Sequence, residues 1–208
     1  MALHIVNHPM VQHKLTLMRM KETSTRDFRE LLREIGMLMG YEVTRDFPLR
    51  DIEIETPMQK TVAKEIAVRK TVVVPILRAG LGMVDGILTL VPTARVGHVG
   101  MYRDPETHEP VQYYCKFPAD VQNRTCLVVD PMLATGGSLT ACIKFLRDAG
   151  VKDIRCLTLV SCPEGVKTVL DFDPDVLLYT CVVDRQLNEN AYILPGLGDA
   201  GDRIYGTK

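Results

Sequence analysis

The chain has 208 residues, 46% of them hydrophobic and 25% charged, a balance ordinary for a soluble globular protein, and no apolar run approaches the ~20 residues of a membrane span. Its formal net charge of −1 and pI near 6.5 supply no overall cationic field to gather a polyanion, which counts against nucleic acid as a partner. Six cysteines never fall in a C-x-x-C pair and five histidines show no metal-binding spacing, so buried free thiols are expected rather than disulfides or zinc. No Pro-, Ser- or charge-rich stretch divides the chain, which predicts one domain over 1–208. The opening MALHIVNHPMVQHKL lacks the basic region, apolar core and cleavage site of a secretory signal, so a cytoplasmic protein is expected.

In chain order, the first strong periodicity runs from Ser24 to Met39. Phe28, Leu31, Leu32, Ile35, Leu38 and Met39 recur there at helical spacing, and Ser24 with Asp27 resembles a capping box. DIEIE (51–55) follows as a candidate edge strand. Five short apolar runs come next: TVVVPIL (71–77), ARVGHVGMY (94–102), TCLVVD (125–130), IRCLTLV (154–160) and VLLYTCVV (176–183). Helix candidates lie between them at 82–90, 137–149 and 164–171. Continuous β-rich runs alternating with helices predict an α/β, doubly wound fold, a parallel sheet covered on both faces. Ligands of such sheets sit beyond the carboxyl ends of the strands, so the residues just after each run are the candidates for a site.

The sharpest of these is CLVVDPMLATGGSLTACIKFL. A buried strand ends at Asp130, a short loop carries Ala134, Thr135, Gly136, Gly137 and Ser138, and a helix begins at or just before the Ser. The glycines allow a tight turn, Thr135 and Ser138 add hydroxyl donors, and the helix N-terminus favours negative charge, so a monophosphate fits. No Lys follows the glycines, which argues against a triphosphate-hydrolysing P-loop. Asp130 would be repelled by phosphate but suits sugar hydroxyls one ribose-length away. By itself, an Asp closing a strand before a helix-capping turn is equally well a structural feature. The order strand, Asp, T-G-G-S, helix favours the functional reading.

PILRAGLGM places Arg78, Ala79 and Gly80 at the end of the preceding strand, where a guanidinium and open backbone N–H groups can meet a diphosphate. MYRDPETHEPVQYY (101–114) mixes charge, Pro and aromatics without periodicity through its centre, which suits a mobile loop or a long hairpin. Near the end, Gly196, Gly198 and Gly201 spell the G-x-G-x-x-G of a dinucleotide-binding turn. The seven residues after Gly201 supply no room for the helix, strand and acidic ribose ligand such a turn requires, so these glycines are expected to serve another purpose.

VVDPMLATGGS, VVPILRAGLGM and YILPGLGDAGDRIYGTK together resemble the type I phosphoribosyltransferases, and within them the uracil phosphoribosyltransferase family. The likeness runs from HPMVQHKL to the last residue. Most type I members carry two adjacent acids before the phosphate loop; here Asp130 is followed by Pro131, so a paired-acid role lacks its second member. The resemblance implies a C-terminal base-binding hood and an N-terminal helical segment around the sheet. It implies transfer of phosphoribose from phosphoribosyl pyrophosphate to uracil, giving uridine 5'-monophosphate and pyrophosphate. Asp130, Pro131, Met132, Leu133, Ala134, Thr135, Gly136, Gly137 and Ser138 would hold the phosphoribosyl donor, with Arg78, Arg103 and Asp199. Arg78, Arg103, Asp130 and Asp199 would carry catalysis. Ile193, Gly198, Asp199 and Ala200 would read uracil, largely through main chain, since acceptor, donor and acceptor along O2, N3–H and O4 match backbone N–H, C=O and N–H. The family further implies Mg²⁺ on the diphosphate and ribose oxygens with no direct protein ligand assigned, a homo-oligomer (dimer or higher), GTP as an effector to be tested, and a lid over 101–114 that excludes water. An RNA-binding regulator built on the same fold is the rival reading, and the slightly negative net charge speaks against it.

Overall fold

The computed structural model describes residues 2–67, 70–103 and 110–207, with side chains for all of these except Arg103 and Pro110. In chain order the elements are β1 (Leu3–Ile5), α1 (Pro9–Arg19), α2 (Thr25–Val43), β2 (Leu49–Glu55), β3 (Lys60–Ile66), β4 (Thr71–Leu77), α3 (Leu81–Leu90), β5 (Arg95–Val96), β6 (His98–Arg103) and β7 (Pro110–Lys116). A single 3₁₀ turn, Val121–Asn123, leads to β8 (Thr125–Val129), β9 (Met132–Leu133), α4 (Gly137–Asp148), β10 (Asp153–Ser161), α5 (Pro163–Phe172), β11 (Leu177–Val183), β12 (Gln186–Leu187), β13 (Ile193–Leu194) and α6 (Ala200–Tyr205). The central sheet runs β1-β11-β10-β8-β4-β6-β7. Every neighbouring pair along it is parallel except β6 with β7.

Strand alternation divides the core between the two faces. Val73 of β4, Leu127 and Val129 of β8, and Leu157 and Leu159 of β10 face the cluster that α1, α2 and α3 complete. Val72, Val74, Ile76, Cys126, Val128, Ile154 and Cys156 face the opposite cluster, closed by Leu139, Cys142, Ile143 and Leu146 of α4. Both faces are therefore covered, as the unbroken apolar runs predict. The cysteines follow: five are buried free thiols and Cys115 is half-buried.

Helix α2 begins where the sequence places it. Ser24 Oγ accepts the Asp27 N–H at 3.1 Å and donates to the Asp27 carboxylate at 2.8 Å, so the capping pair satisfies an orphan first-turn donor. Phe28, Leu32, Ile35, Met39 and Val43 are fully buried along one stripe. Against that stripe α3 packs closely, because a Cβ at Gly86 would stand 2.0 Å from the Arg33 carbonyl oxygen and one at Gly36 would stand 2.9 Å from that of Met83.

The two ends of the fold differ from expectation. DIEIE lies in β2, which pairs antiparallel with β3 as a separate two-stranded sheet and not at the edge of the central one. Its alternating isoleucines have no second layer to bury them; Ile52 is half-buried and Ile54 exposed. Cross-strand pairs Arg50–Glu65 and Lys64–Asp51 line the hairpin instead. The edges of the central sheet are β7 and β1; β1, parallel to β11 with Leu3 opposite Leu178, is a strand of three residues that is too short to show a period.

The α2–α3 crossing yields a stability test. Gly86→Ala is expected to lower the urea unfolding free energy by about 1–3 kcal/mol through overpacking. Gly40→Ala, whose Cβ would meet only Leu90 and Ile87 at 3.5 Å and beyond, is expected to be neutral or to stabilise by up to about 1 kcal/mol through helix propensity. Equal midpoints for the two variants would contradict the close approach.

Candidate active site

Parallel pairing brings the carboxyl ends of β4, β8, β10 and β11 to one edge of the sheet, and a cleft of about 400 Å³ opens there. One wall is the segment from β8 into α4. Gly136 is the N-cap of α4 with φ +90°, a left-handed conformation that favours glycine. A Cβ on it would also stand 2.9 Å from the Thr168 side chain of α5. The loop is backed by the start of α5: the Cys162 N–H donates to the Leu133 carbonyl at 3.1 Å, and the Cys162 thiol donates to the Ala134 carbonyl at 3.0 Å. Gly165 fits so tightly beneath it that a Cβ would come 2.2 Å from the Ala134 oxygen. The carbonyls of Leu133 and Ala134 thus face away from the cleft. Gly136, Ser138 and Leu139 at the start of α4 line the cleft, and the first-turn N–H groups of a helix have no intrahelical acceptors.

Asp130 stands at the head of this wall. Its backbone N–H donates to the Leu157 carbonyl at 3.2 Å, and its Oδ1 accepts the Met132 N–H at 3.3 Å. Burial of the carboxyl is the main cause that pushes its pKa up to about 7; the Met132 N–H opposes the rise and the Asp199 carboxylate across the cleft adds to it. Two acids thus face one space from opposite walls.

The facing wall is the chain after β11. Asn188 Oδ1 accepts the N–H groups of Asn190 at 3.0 Å and Tyr192 at 2.9 Å, and Ala191 takes a positive φ of 60° in the turn so formed. Beyond β13, the Leu194–Pro195 peptide is cis, and Gly196 and Gly198 have φ of 62° and 83°. Ile193, Leu197, Ala200 and Ile204 are buried and fix the segment to the core. Asp199 N-caps α6, its Oδ1 accepting the Asp202 N–H at 2.9 Å. Gly198 and Asp199 stay exposed, on the cleft.

Of the residues singled out by sequence, Asp130, Met132, Leu133, Ala134, Thr135, Gly136, Ser138, Ile193, Gly198, Asp199 and Ala200 line this one cleft. Pro131 is buried off the wall, its carbonyl accepting the Leu159 and Val160 N–H groups at 3.0 Å. Gly137 opens α4 just behind it. Ala79 reaches the cleft, while the Arg78 guanidinium lies over the Tyr205 ring, 5.7 Å from its centroid, and 3.5 Å from the Asp202 carboxylate. Arg103 ends β6, and its side chain lies outside the described residues. Met101–Arg103 and Pro110–Tyr114 are paired strands, the hairpin form expected for that stretch; residues 104–109, on which a lid would turn, also lie outside the described residues. Sequence reasoning did not place Asn190, Ala191 or Tyr192 on the cleft; all three line it, and Tyr192 is 41% exposed there. The signal was present in NEN (188–190), since Asn side chains build local turns by binding backbone N–H groups. Among the described residues no group of three or more His, Cys, Asp or Glu is placed to hold a metal.

Comparison with known proteins agrees with this geometry. A family profile described as uracil phosphoribosyltransferase matches residues 5–207. Proteins named uracil phosphoribosyltransferase from Clostridioides difficile and Desulfitobacterium hafniense are 61% and 60% identical to this chain, over 97% of both chains for the first and 99% of this chain and 98% of the relative for the second. A solved structure of an Aquifex aeolicus protein superposes with a TM-score of 0.94 at 34% identity, covering 99% of each chain. A hypoxanthine-guanine phosphoribosyltransferase from Bacillus anthracis, 14% identical over 77% of this chain and 79% of that one, shares the fold alone with a TM-score of 0.52. With a phosphate-type loop and a glycine-bearing C-terminal segment closing one cleft, and with relatives matched along almost the whole length, the chain belongs to the uracil phosphoribosyltransferase family.

Proposed function

We propose that the chain transfers the phosphoribosyl group of phosphoribosyl pyrophosphate to N1 of uracil, releasing pyrophosphate and forming uridine 5'-monophosphate for pyrimidine salvage. The observation that carries this reading is the meeting of the Asp130–Ser138 wall with the Ile193–Ala200 wall across one cleft of about 400 Å³. In this reading the α4 N-terminus, Thr135 and Ser138 hold the 5'-phosphate. Asp130, in its ionised form, accepts from the ribose hydroxyls, and Asp199 approaches the donor from the facing wall. The bond from C1' to the diphosphate oxygen breaks as the bond to uracil N1 forms, and the electron pair leaves with pyrophosphate. Arg78 and Arg103 are assigned to that leaving group. Arg78 reaches it by leaving its contacts with Asp202 and Tyr205. Main-chain groups between Ile193 and Ala200 read the uracil edge, and cytosine, with donor and acceptor exchanged at positions 3 and 4, is rejected.

Mg²⁺ suits this donor set only as a partner of the substrate, because among the described residues Asp130 and Asp199 are the two carboxylates on the cleft walls and oxygens of the diphosphate and ribose would complete its shell. When bound it supplies neutralising charge to the diphosphate. The protein is further read as a cytoplasmic homo-oligomer. No described helix is long and apolar enough to cross a membrane, and hairpin β2–β3 leaves Leu49, Val62 and Ile66 each more than half exposed. A product assay with each free base, with and without Mg²⁺ and GTP, tests substrate, metal and effector together. Product from another base in preference to uracil overturns the reading.

Asp130→Asn is expected to lower kcat/KM for the donor at least about 100-fold, the scale of one lost charge-stabilising group. The wild-type pH profile should fall below about pH 7, the pKa of Asp130, and that limb should vanish in the variant. Stability moves the other way. Between pH 4 and 7 the folded chain holds a proton that the unfolded chain releases, so stability falls as pH rises through that window. Thermal melts should therefore show Asp130→Asn above wild type at pH 8, with the gap closing toward pH 4.

Arg78→Ala is expected to reduce kcat by about 100-fold or more while uridine monophosphate, which lacks pyrophosphate, binds within about threefold of wild type by calorimetry. Parallel collapse of both would remove Arg78 from the leaving group.

A further inference from the structure

The base-reading wall is held from outside the cleft. Arg19, the last residue of α1, donates from Nη1 to Asp184 Oδ2 and from Nη2 to Asp184 Oδ1, both at 2.8 Å, and its Nη1 also donates to the Gly196 carbonyl at 2.8 Å. The Gly196 N–H in turn donates to Asp184 Oδ2 at 2.9 Å. Both peptide groups of one glycine are thus captured by one ion pair. Asp184 is buried, its side chain only 6% exposed, and it follows directly on β11, its N–H bound to the Ser161 carbonyl at 2.7 Å. That carboxylate is therefore referenced to the central sheet.

The next residue is fixed from the same place. Arg203 donates to the Leu197 carbonyl at 2.8 Å and to the carbonyl of Met20, the C-cap of α1, at 2.6 Å, with its guanidinium 4.4 Å over the Phe28 ring. On the far side Ala200 is buried at the start of α6. Only Gly198 and Asp199 remain exposed between these fixed points. A Cβ at Gly196 would stand 2.1 Å from the Ile193 carbonyl oxygen, so the turn has no slack to take up a shift at the anchor.

We infer that Arg19 and Asp184 are positioning residues for base recognition: their bidentate pair sets the height of the Gly198–Ala200 main chain in the cleft, without touching substrate. The inference rests on the assignment of uracil reading to that main chain. A guanidinium is required because three donor contacts in a fixed plane are made at once, and a lysine ammonium cannot reproduce the two parallel bonds together with the third. Displacing the reading groups by a fraction of an ångström weakens hydrogen bonds to the base, while the phosphate loop at Thr135–Ser138, on the other wall, keeps its own supports in α5.

Steady-state kinetics on Arg19→Lys and Asp184→Asn, with Gly198→Val alongside, test this. Each of the first two is expected to raise KM for uracil by about tenfold or more, within the range a misplaced positioning group produces, and to raise KM for phosphoribosyl pyrophosphate, which Asp199 approaches but the Thr135–Ser138 loop holds, by a clearly smaller factor of about threefold. Discrimination against cytosine should fall with it. Gly198→Val, whose new Cβ would meet only Arg203 at 3.7 Å but whose φ of 83° is strained for a β-branched residue, should raise the uracil KM as well. If Gly198→Val raises it and the two clamp variants do not, or if they raise both KM values alike, the clamp is overturned. If Gly198→Val leaves uracil kinetics intact, the base-reading assignment fails and the inference with it. Should both clamp variants fold poorly, amide exchange on the wild-type protein decides: the Gly196 N–H should exchange far more slowly than that of Gly198, and equal rates overturn the clamp.

Discussion

Everything at the site depends on parallel pairing in the middle of the sheet. With Val73 opposite Leu127, and Leu157 opposite Val129, the chain must leave β4, β8 and β10 at the same edge, and three successive strand-to-helix connections gather there. Strands β4, β8 and β10 themselves place no side chain on the cleft. Their contribution is to bury a layer on each face so completely that the loops beyond them have a rigid base. Asp130 shows the cost of that arrangement: it sits one residue beyond a strand whose every residue is buried, and the same burial that fixes its position raises its pKa.

The two walls of the cleft are made rigid by different means. The phosphate-type loop is held by contact at very short range, through Gly165 under Ala134 and Gly136 beside Thr168, so its shape is set by excluded volume. The C-terminal wall is set by directional bonds, from Arg19, Asp184 and Arg203 to main-chain groups. An ion pair with one buried and one half-buried member is worth little as net stability. Its value lies in fixing the path of the chain. Hydrophobic anchors such as Leu197 and Ile204 hold the segment down but tolerate sliding; hydrogen bonds to a single glycine do not.

The central strands and the helices between them were legible because a fully buried strand and an amphipathic helix each leave a continuous pattern over many residues. Helix α2, with its Ser24 cap, and the strand–Asp130–loop–α4 unit were readable for the same reason, and the family likeness extended this to the C-terminal segment. What escaped was either short or non-local. Strand β1 has three residues, and its pairing with β11 spans most of the chain. The orientation of Arg78 onto α6 and the grip of Arg19 on Gly196 depend on side chains meeting across more than 100 positions, which no local pattern encodes. The turn at Asn188 was local and carried its own signal, but its effect on Tyr192 depended on where the turn stood relative to the cleft. For DIEIE the alternation was read correctly as a strand, and only its partner was misplaced.

The separate hairpin β2–β3 carries a further consequence. Its strands are ladder-paired to each other and to no other strand among those described, and an isolated pair of strands is marginal in water. It can therefore open without disturbing the central sheet, as a cooperative unit at the low end of the stability range. Any surface that covers Leu49, Val62 and Ile66 adds its association free energy to that unit alone. A partner that covered those three residues would lower the protease sensitivity of the hairpin, while the buried strands β4, β8 and β10 would serve as an internal reference that does not change.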